Sequence, residues 1–129
     1  MTTWLINIED GDDEGDPAEF VPQLQAGPDL LASANDLVSW SNRTDDVHEP
    51  WPTDQNFTPL TDAQVGPHGS QNYLSDEINP NHSSRPSWVV RKLKFPPAPP
   101  PPPPVGDGTT IYYCCKLHPE ERGKIIITP

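Results

Sequence analysis

The chain is poor in cysteine, in cations over most of its length, and in aliphatic residues. It has two cysteines, and these are adjacent, Cys114 and Cys115. A disulfide framework needs separated partners and a vicinal bridge needs strained geometry, so the sulfurs are read as thiols or metal ligands rather than staples. Residues 1–80 carry 16 acids against one base, Arg43, whereas residues 81–129 carry three acids and seven bases. With a net charge of −11, a nucleic-acid role is disfavoured and a basic partner protein is expected, because nucleic-acid binding needs cations to displace phosphate counterions. No run of about 18 apolar residues is present, so no membrane span is expected. Leu, Ile, Val and Phe number 26 of 129 residues, at the border where chains fail to fold, while 19 prolines and eight glycines add turns.

What is present is short alternating segments. Trp4, Ile6 and Ile8 alternate, as do Val38, Trp40 and Asn42 within Leu37–Asn42, then Val89, Arg91, Leu93 and Phe95, and finally Ile125 and Ile127. In Thr109–Cys115, Ile111, Tyr113 and Cys115 share one face, and Cys114 points to the other as a small packed or surface residue. Helical periodicity lasts only for a turn opened by Thr61, with Gln64 three residues on. Many short strands between turn residues predict an all-β sandwich or barrel forming one domain over residues 1–129.

Three segments interrupt the strands. Residues 9–19 hold seven carboxylates; Asp10, Asp12, Glu14 and Gly15 follow a calcium-loop pattern, but Val21 stands where a bidentate Glu is needed, so a solvated acidic loop is expected. Residues 49–86 form a long polar excursion, expected to lie over a site near His48. Residues 96–104 hold eight prolines in nine positions, a polyproline rod read as a stiff loop between strands, with docking into an aromatic groove as the sharper alternative.

The most informative stretch is Tyr113-Cys114-Cys115-Lys116-Leu117-His118-Pro119-Glu120-Glu121-Arg122-Gly123-Lys124-Ile125. A cysteine ending a buried strand face and a histidine three residues later place a thiolate and an imidazole on one tight loop. His48, after the strand Leu37–Asn42, offers a second imidazole. One thiolate and two imidazoles are the donor set of a trigonal electron-transfer copper site. Zinc, held tetrahedrally by Cys, two His and Glu, is the rival metal, and Cys115 acting as a nucleophile with His118 is the disfavoured enzyme reading.

These residues resemble the cupredoxins, in particular the short-loop amicyanin and plastocyanin-like branch. Tyr113, Cys115, His118, Pro119, Gly123 and Ile125 match the C-terminal motif. Asn35–Asn42 is similar to the strand before the first histidine ligand, with His48 in that ligand's place, and Phe20-Val21-Pro22 is similar to a segment near the family's N-terminus. The match covers about residues 4–48 and 87–128, so the excursion and the proline run read as insertions.

The resemblance implies a Greek-key β-sandwich holding one copper ion at His48, Cys115 and His118. It further implies a monomeric electron carrier that cycles Cu(I)/Cu(II), meets a redox partner protein and works in the periplasm or another extracytoplasmic space. Met1–Asp10 lacks the basic and apolar parts of an export signal, which fits a cytosolic chain or a mature form. The alternative is a non-redox metal-binding or interaction module on the same fold.

The departures bear on chemistry. Glu121 stands where the family has its axial Met and is the expected fourth ligand; it could instead turn to solvent, or Glu120 could replace it. A carboxylate there favours Cu(II) and lowers the reduction potential. Glu49 beside His48 is expected to add negative charge around the metal. Nitrosocyanin, a red copper relative with a Glu ligand, fits less well, because no histidine follows His118.

Overall fold

The structure is a computed structural model, described here for residues 2–11, 18–23, 29–54, 56–67, 69–70, 72–84, 88–91 and 110–128. The polyproline run and the centre of the acidic segment, with its calcium-like pattern, lie outside these residues. Eight strands build two four-stranded sheets. Strands β1 (Thr3–Glu9), β2 (Glu19–Pro22), β4 (Leu37–Asn42) and β6 (Trp88–Val89) form the first in the order β2-β1-β4-β6. Strands β3 (Leu30–Ser33), β5 (Pro50–Pro52), β7 (Thr110–Cys115) and β8 (His118–Thr128) form the second in the order β3-β8-β7-β5. Each sheet contains one parallel pair, β1 with β4 and β3 with β8, and is otherwise antiparallel.

Alternation in the sequence becomes the interface between the sheets. In β4 the buried positions are Val38, Trp40 and Asn42, and the parallel register Ile6↔Trp40 and Ile8↔Asn42 puts β1's apolar face beside them. From the other sheet Leu30, Ala32, Ile111, Tyr113 and Ile125 close the core. Tyr113 packs edge-on between Phe20 and Trp40, with ring centroids 4.7 and 5.6 Å away. It faces Gly123 across the β7–β8 ladder, where a Cβ would lie 2.5 Å from the phenol ring.

The strand beginning near residue 88 has the opposite parity to that expected from Val89, Arg91, Leu93 and Phe95. Trp88 and Val90 are buried and Val89 is 37% exposed. The antiparallel register Trp88↔Val38 sets Trp88 on the inner face, where its ring removes more apolar surface from water than Val89 would. Leu93 and Phe95 lie outside the described residues.

The excursion after His48 is ordered by its own contacts. Pro50–Pro52 is strand β5, and Asp62–Val65 is a single helical turn, α1, with the reciprocal Thr61–Gln64 capping box anticipated from the sequence. Trp51, Leu60 and Val65 make a second small core against Tyr73. Farther along, Ile78 forms a two-way backbone bridge with His48 (3.2 and 2.7 Å), so the excursion grips the chain at the expected histidine.

Candidate metal centre

Three parts of the chain meet at one point: the connection after β4, the turn between β7 and β8, and the first residues of β8. The ladder between β7 and β8 is interrupted there, because Cys114 pairs with Arg122 while the next residue, Cys115, pairs with His118. Pro119, Glu120 and Glu121 are therefore surplus on β8, and such a bulge re-aims side chains. It turns Glu121 inward beside Cys115 and His118 and leaves Glu120 exposed.

His48, Cys115, His118 and Glu121 each offer one donor atom, all within 4.8 Å of one another, and form the one such group among the described residues. Glu121 Oε1 lies 3.0 Å from His48 Nδ1 and 3.5 Å from His118 Nδ1, and Cys115 Sγ lies 3.6 Å from His118 Nδ1. Donor atoms about 2.1 Å from a shared ion would be roughly 3.6 Å apart in a trigonal arrangement, so the spacing fits a metal. His48, Cys115 and Glu121 are buried, and the His118 side chain is 36% exposed.

Two of the donor atoms also lack a hydrogen bond. Despite their 3.0 Å approach, His48 Nδ1 and Glu121 Oε1 are not aligned for a hydrogen bond, and both are buried without one. Buried polar atoms are normally paired, so two that converge unpaired beside a thiol mark a cation's place. Electrostatics agree. Burial alone would lower the His48 pKa, but Cys115 and Glu121 beside the ring overcome it and raise it to about 9. For Glu121 burial pushes the pKa up, and the His48 ring and the Ala18 N–H prevail, holding it below the ordinary carboxylate value. In the absence of metal this cluster holds a proton.

Thr44 sets which nitrogen of His48 faces inward. Asn42 Nδ2 donates to the Asp46 and Ile78 carbonyls, which leaves Oδ1 as an acceptor. The Thr44 hydroxyl has one proton, with Asn42 Oδ1 at 2.8 Å and the Asp46 carbonyl at 3.2 Å to receive it. With that proton committed, Thr44 Oγ1 accepts from His48 Nε2 at 2.8 Å. The Nε2 proton is thereby held by Thr44 and Nδ1 is the nitrogen turned to the centre, where it carries the cluster's proton in the absence of metal and would offer its lone pair to one, as ligand histidines are commonly held by a second hydrogen bond.

The sulfur has its own support. The Glu49 backbone N–H donates to Cys115 Sγ at 3.4 Å, and the Lys116 N–H donates to the Glu49 carbonyl at 2.8 Å. The Glu49 main chain thus contacts Cys115, while its carboxyl is not among the converging donors. Burial raises the carboxyl's pKa, with Lys116 opposing and Glu77, Asp76 and Asp62 reinforcing the rise. Cys114 is fully buried, and burial raises its thiol pKa to about 12. It too lies outside the donor group, so of the two sulfurs only Cys115 faces the centre.

All four residues singled out from sequence are thus brought together. Thr44, Asn42, the Glu49 N–H and the Ala18 N–H were not, and only the short polar run Asn42-Arg43-Thr44 before His48 hints at them. Of the other histidines, His82 is exposed in a loop, and His68 lies outside the described residues.

Comparison with known proteins agrees on the fold. No family sequence model and no curated protein sequence matches the chain. The structure is similar to a purple cupredoxin from Nitrosopumilus maritimus, with a TM-score of 0.60 and 16% identity over 96% of this chain and 98% of that one. An amicyanin mutant in its reduced Cu(I) form superposes at 0.48 with 18% identity, covering 96% of this chain and 80% of that one. The two sheets, their order and the solved structure they superpose on show that this chain has the cupredoxin fold.

Proposed function

We propose that this protein is a one-electron carrier with a single copper ion held by His48, Cys115, His118 and Glu121. The observation that carries the reading is the convergence of one thiol, two imidazoles and one carboxylate, two of their donor atoms buried without a hydrogen bond. Copper bound there would supply a Cu(II)/Cu(I) couple, the chemistry for which such a donor set is suited.

The chain's own residues fit that task. The Glu49 N–H draws charge from Cys115 Sγ, and Thr44 holds the His48 ring, so two ligands are fixed before metal arrives. Glu121 adds a hard anionic donor, which supports the oxidised state and sets a potential below that of a thioether-ligated site. His118 is the ligand that reaches solvent, beside Leu117, which is 46% exposed. An electron has its shortest way to a partner through that edge. The strongly acidic N-terminal part of the chain favours a basic redox partner at low ionic strength.

Addition of Cu(II) to the metal-free protein tests the proposal. Intense visible absorption from thiolate-to-copper charge transfer, reversibly bleached by a one-electron reductant, is the expected result. A colourless protein that binds zinc tightly would establish a non-redox metal-binding module instead.

A further inference from the structure

The two oxygens of Glu121 do different things. Oε1 is the atom that faces His48 and His118, while Oε2 accepts a hydrogen bond of 3.1 Å from the main-chain N–H of Ala18. Ala18 is 103 positions away in sequence and belongs to the lead-in to β2, in the opposite sheet from Glu121. Its place is set by the β1–β2 ladder, in the register Ile8↔Phe20 and Glu9↔Glu19.

We infer that the Ala18 main-chain N–H is a positioning group for the fourth ligand, holding Glu121 as a one-oxygen donor. The inference rests on the reading that Glu121 faces a copper ion. Glutamate has a long, freely rotating side chain, and a buried carboxylate whose second oxygen is unpaired seeks another partner. Without the N–H, Oε2 would be free to turn toward the same centre that Oε1 faces. A charge-assisted bond from a rigid ladder removes that option and fixes the rotation of the carboxylate plane. The end of the acidic segment thereby acquires a role separate from solvation, because Ala18, the residue before β2, connects the first sheet to the metal centre.

Copper-loaded full-length wild type, Ala18→Gly and Ala18→Pro provide the test. Glycine keeps the N–H and proline deletes it. We expect Ala18→Gly to match wild type in absorption and midpoint potential. Ala18→Pro is expected to show an altered charge-transfer spectrum and a Cu(II)-to-Cu(I) affinity ratio raised about tenfold, the low end of what loss of a supporting hydrogen bond does at a metal ligand. That ratio corresponds to a potential lower by about 59 mV for one electron. Identical spectra and potentials for the two variants would overturn the inference.

A second measurement needs neither copper nor the proline variant. In metal-free protein the Ala18 amide should exchange with solvent at least about tenfold faster in Glu121→Met than in wild type, while the amides of the β1–β2 ladder keep their rates. Equal Ala18 rates would overturn the positioning role. A wild type that remains colourless with Cu(II) while showing the Ala18 effect would instead remove the copper reading and leave the hydrogen bond standing.

Discussion

Replacing Thr44 by valine removes one hydroxyl and little volume, and the consequence can be followed atom by atom. Thr44 is buried, so no water replaces the hydroxyl. His48 Nε2–H loses its acceptor, and Asn42 Oδ1 keeps only the Thr44 N–H at 3.0 Å. A buried donor left unpaired costs about 1–3 kcal/mol. The tautomer with the proton on Nδ1 escapes that cost, and in that tautomer the nitrogen facing Glu121 has no lone pair to give. A bias of this size corresponds to roughly 5–150-fold in metal affinity, which overlaps the 10–100-fold range typical for loss of a residue that orients a ligand. The assay is a competition titration with a chelator of known affinity, with the fold checked by circular dichroism. Thr44→Ser keeps a hydroxyl and should bind like wild type. A folded Thr44→Val protein with wild-type affinity would refute the assignment of the His48 tautomer to Thr44.

The remaining predictions concern the ligands, the packing behind them and pH. Cys115→Ser should abolish the visible charge-transfer band while Cys114→Ser retains it, since only Cys115 Sγ belongs to the donor group; absorption spectra of the two copper-treated variants decide this. Glu121→Met should raise the reduction potential by exchanging a hard anion for a thioether, and voltammetry showing an unchanged value would exclude Glu121 as a ligand. Gly123→Ala should cost about 1–3 kcal/mol of stability in thermal or denaturant unfolding, because the new methyl would sit 2.5 Å from Tyr113, which Phe20 and Trp40 prevent from moving aside. The metal-free protein should also lose stability at alkaline pH. Folding raises the His48 pKa from 6.5 to about 9, so its contribution, roughly 3 kcal/mol, is complete below pH 6.5 and disappears as pH rises through 9. Glu121 behaves in the opposite sense: its lowered pKa stabilises above about pH 4.5 and that contribution is lost as pH falls below it. Denaturant unfolding of metal-free protein between pH 4 and 10 should therefore show a maximum between about pH 4.5 and 6.5; a curve still rising at pH 9 would contradict the coupling of His48 to its anionic neighbours.

Much of the fold is legible as local pattern. Val38, Trp40 and Asn42 alternate in the sequence and are the buried positions of β4, and the Thr61–Gln64 box opens the one helical turn described. Parity failed where two apolar sets competed, at Trp88-Val89-Val90, because every residue of that run is apolar and the choice of face belongs to its pairing with β4. Cys114 was legible from strand alternation as a residue facing away from Cys115; it is packed and buried, and only Cys115 belongs to the donor group.

By itself the sequence determined the donor types and their local spacing: Cys115 and His118 on one short turn, Glu121 three residues on, and His48 after a strand. These are properties of neighbouring residues, so the chain states them directly. Only the tertiary structure decided that Glu121 rather than Glu120 turns inward, that Thr44 orients His48, that the Glu49 main chain reaches the Cys115 sulfur, and that Ala18 holds the second oxygen of Glu121. Two of these three contacts are made by backbone N–H groups, which every residue except proline carries, so no residue identity advertises them. Their placement depends on ladders and a bulge that bring together atoms 66 and 103 positions apart.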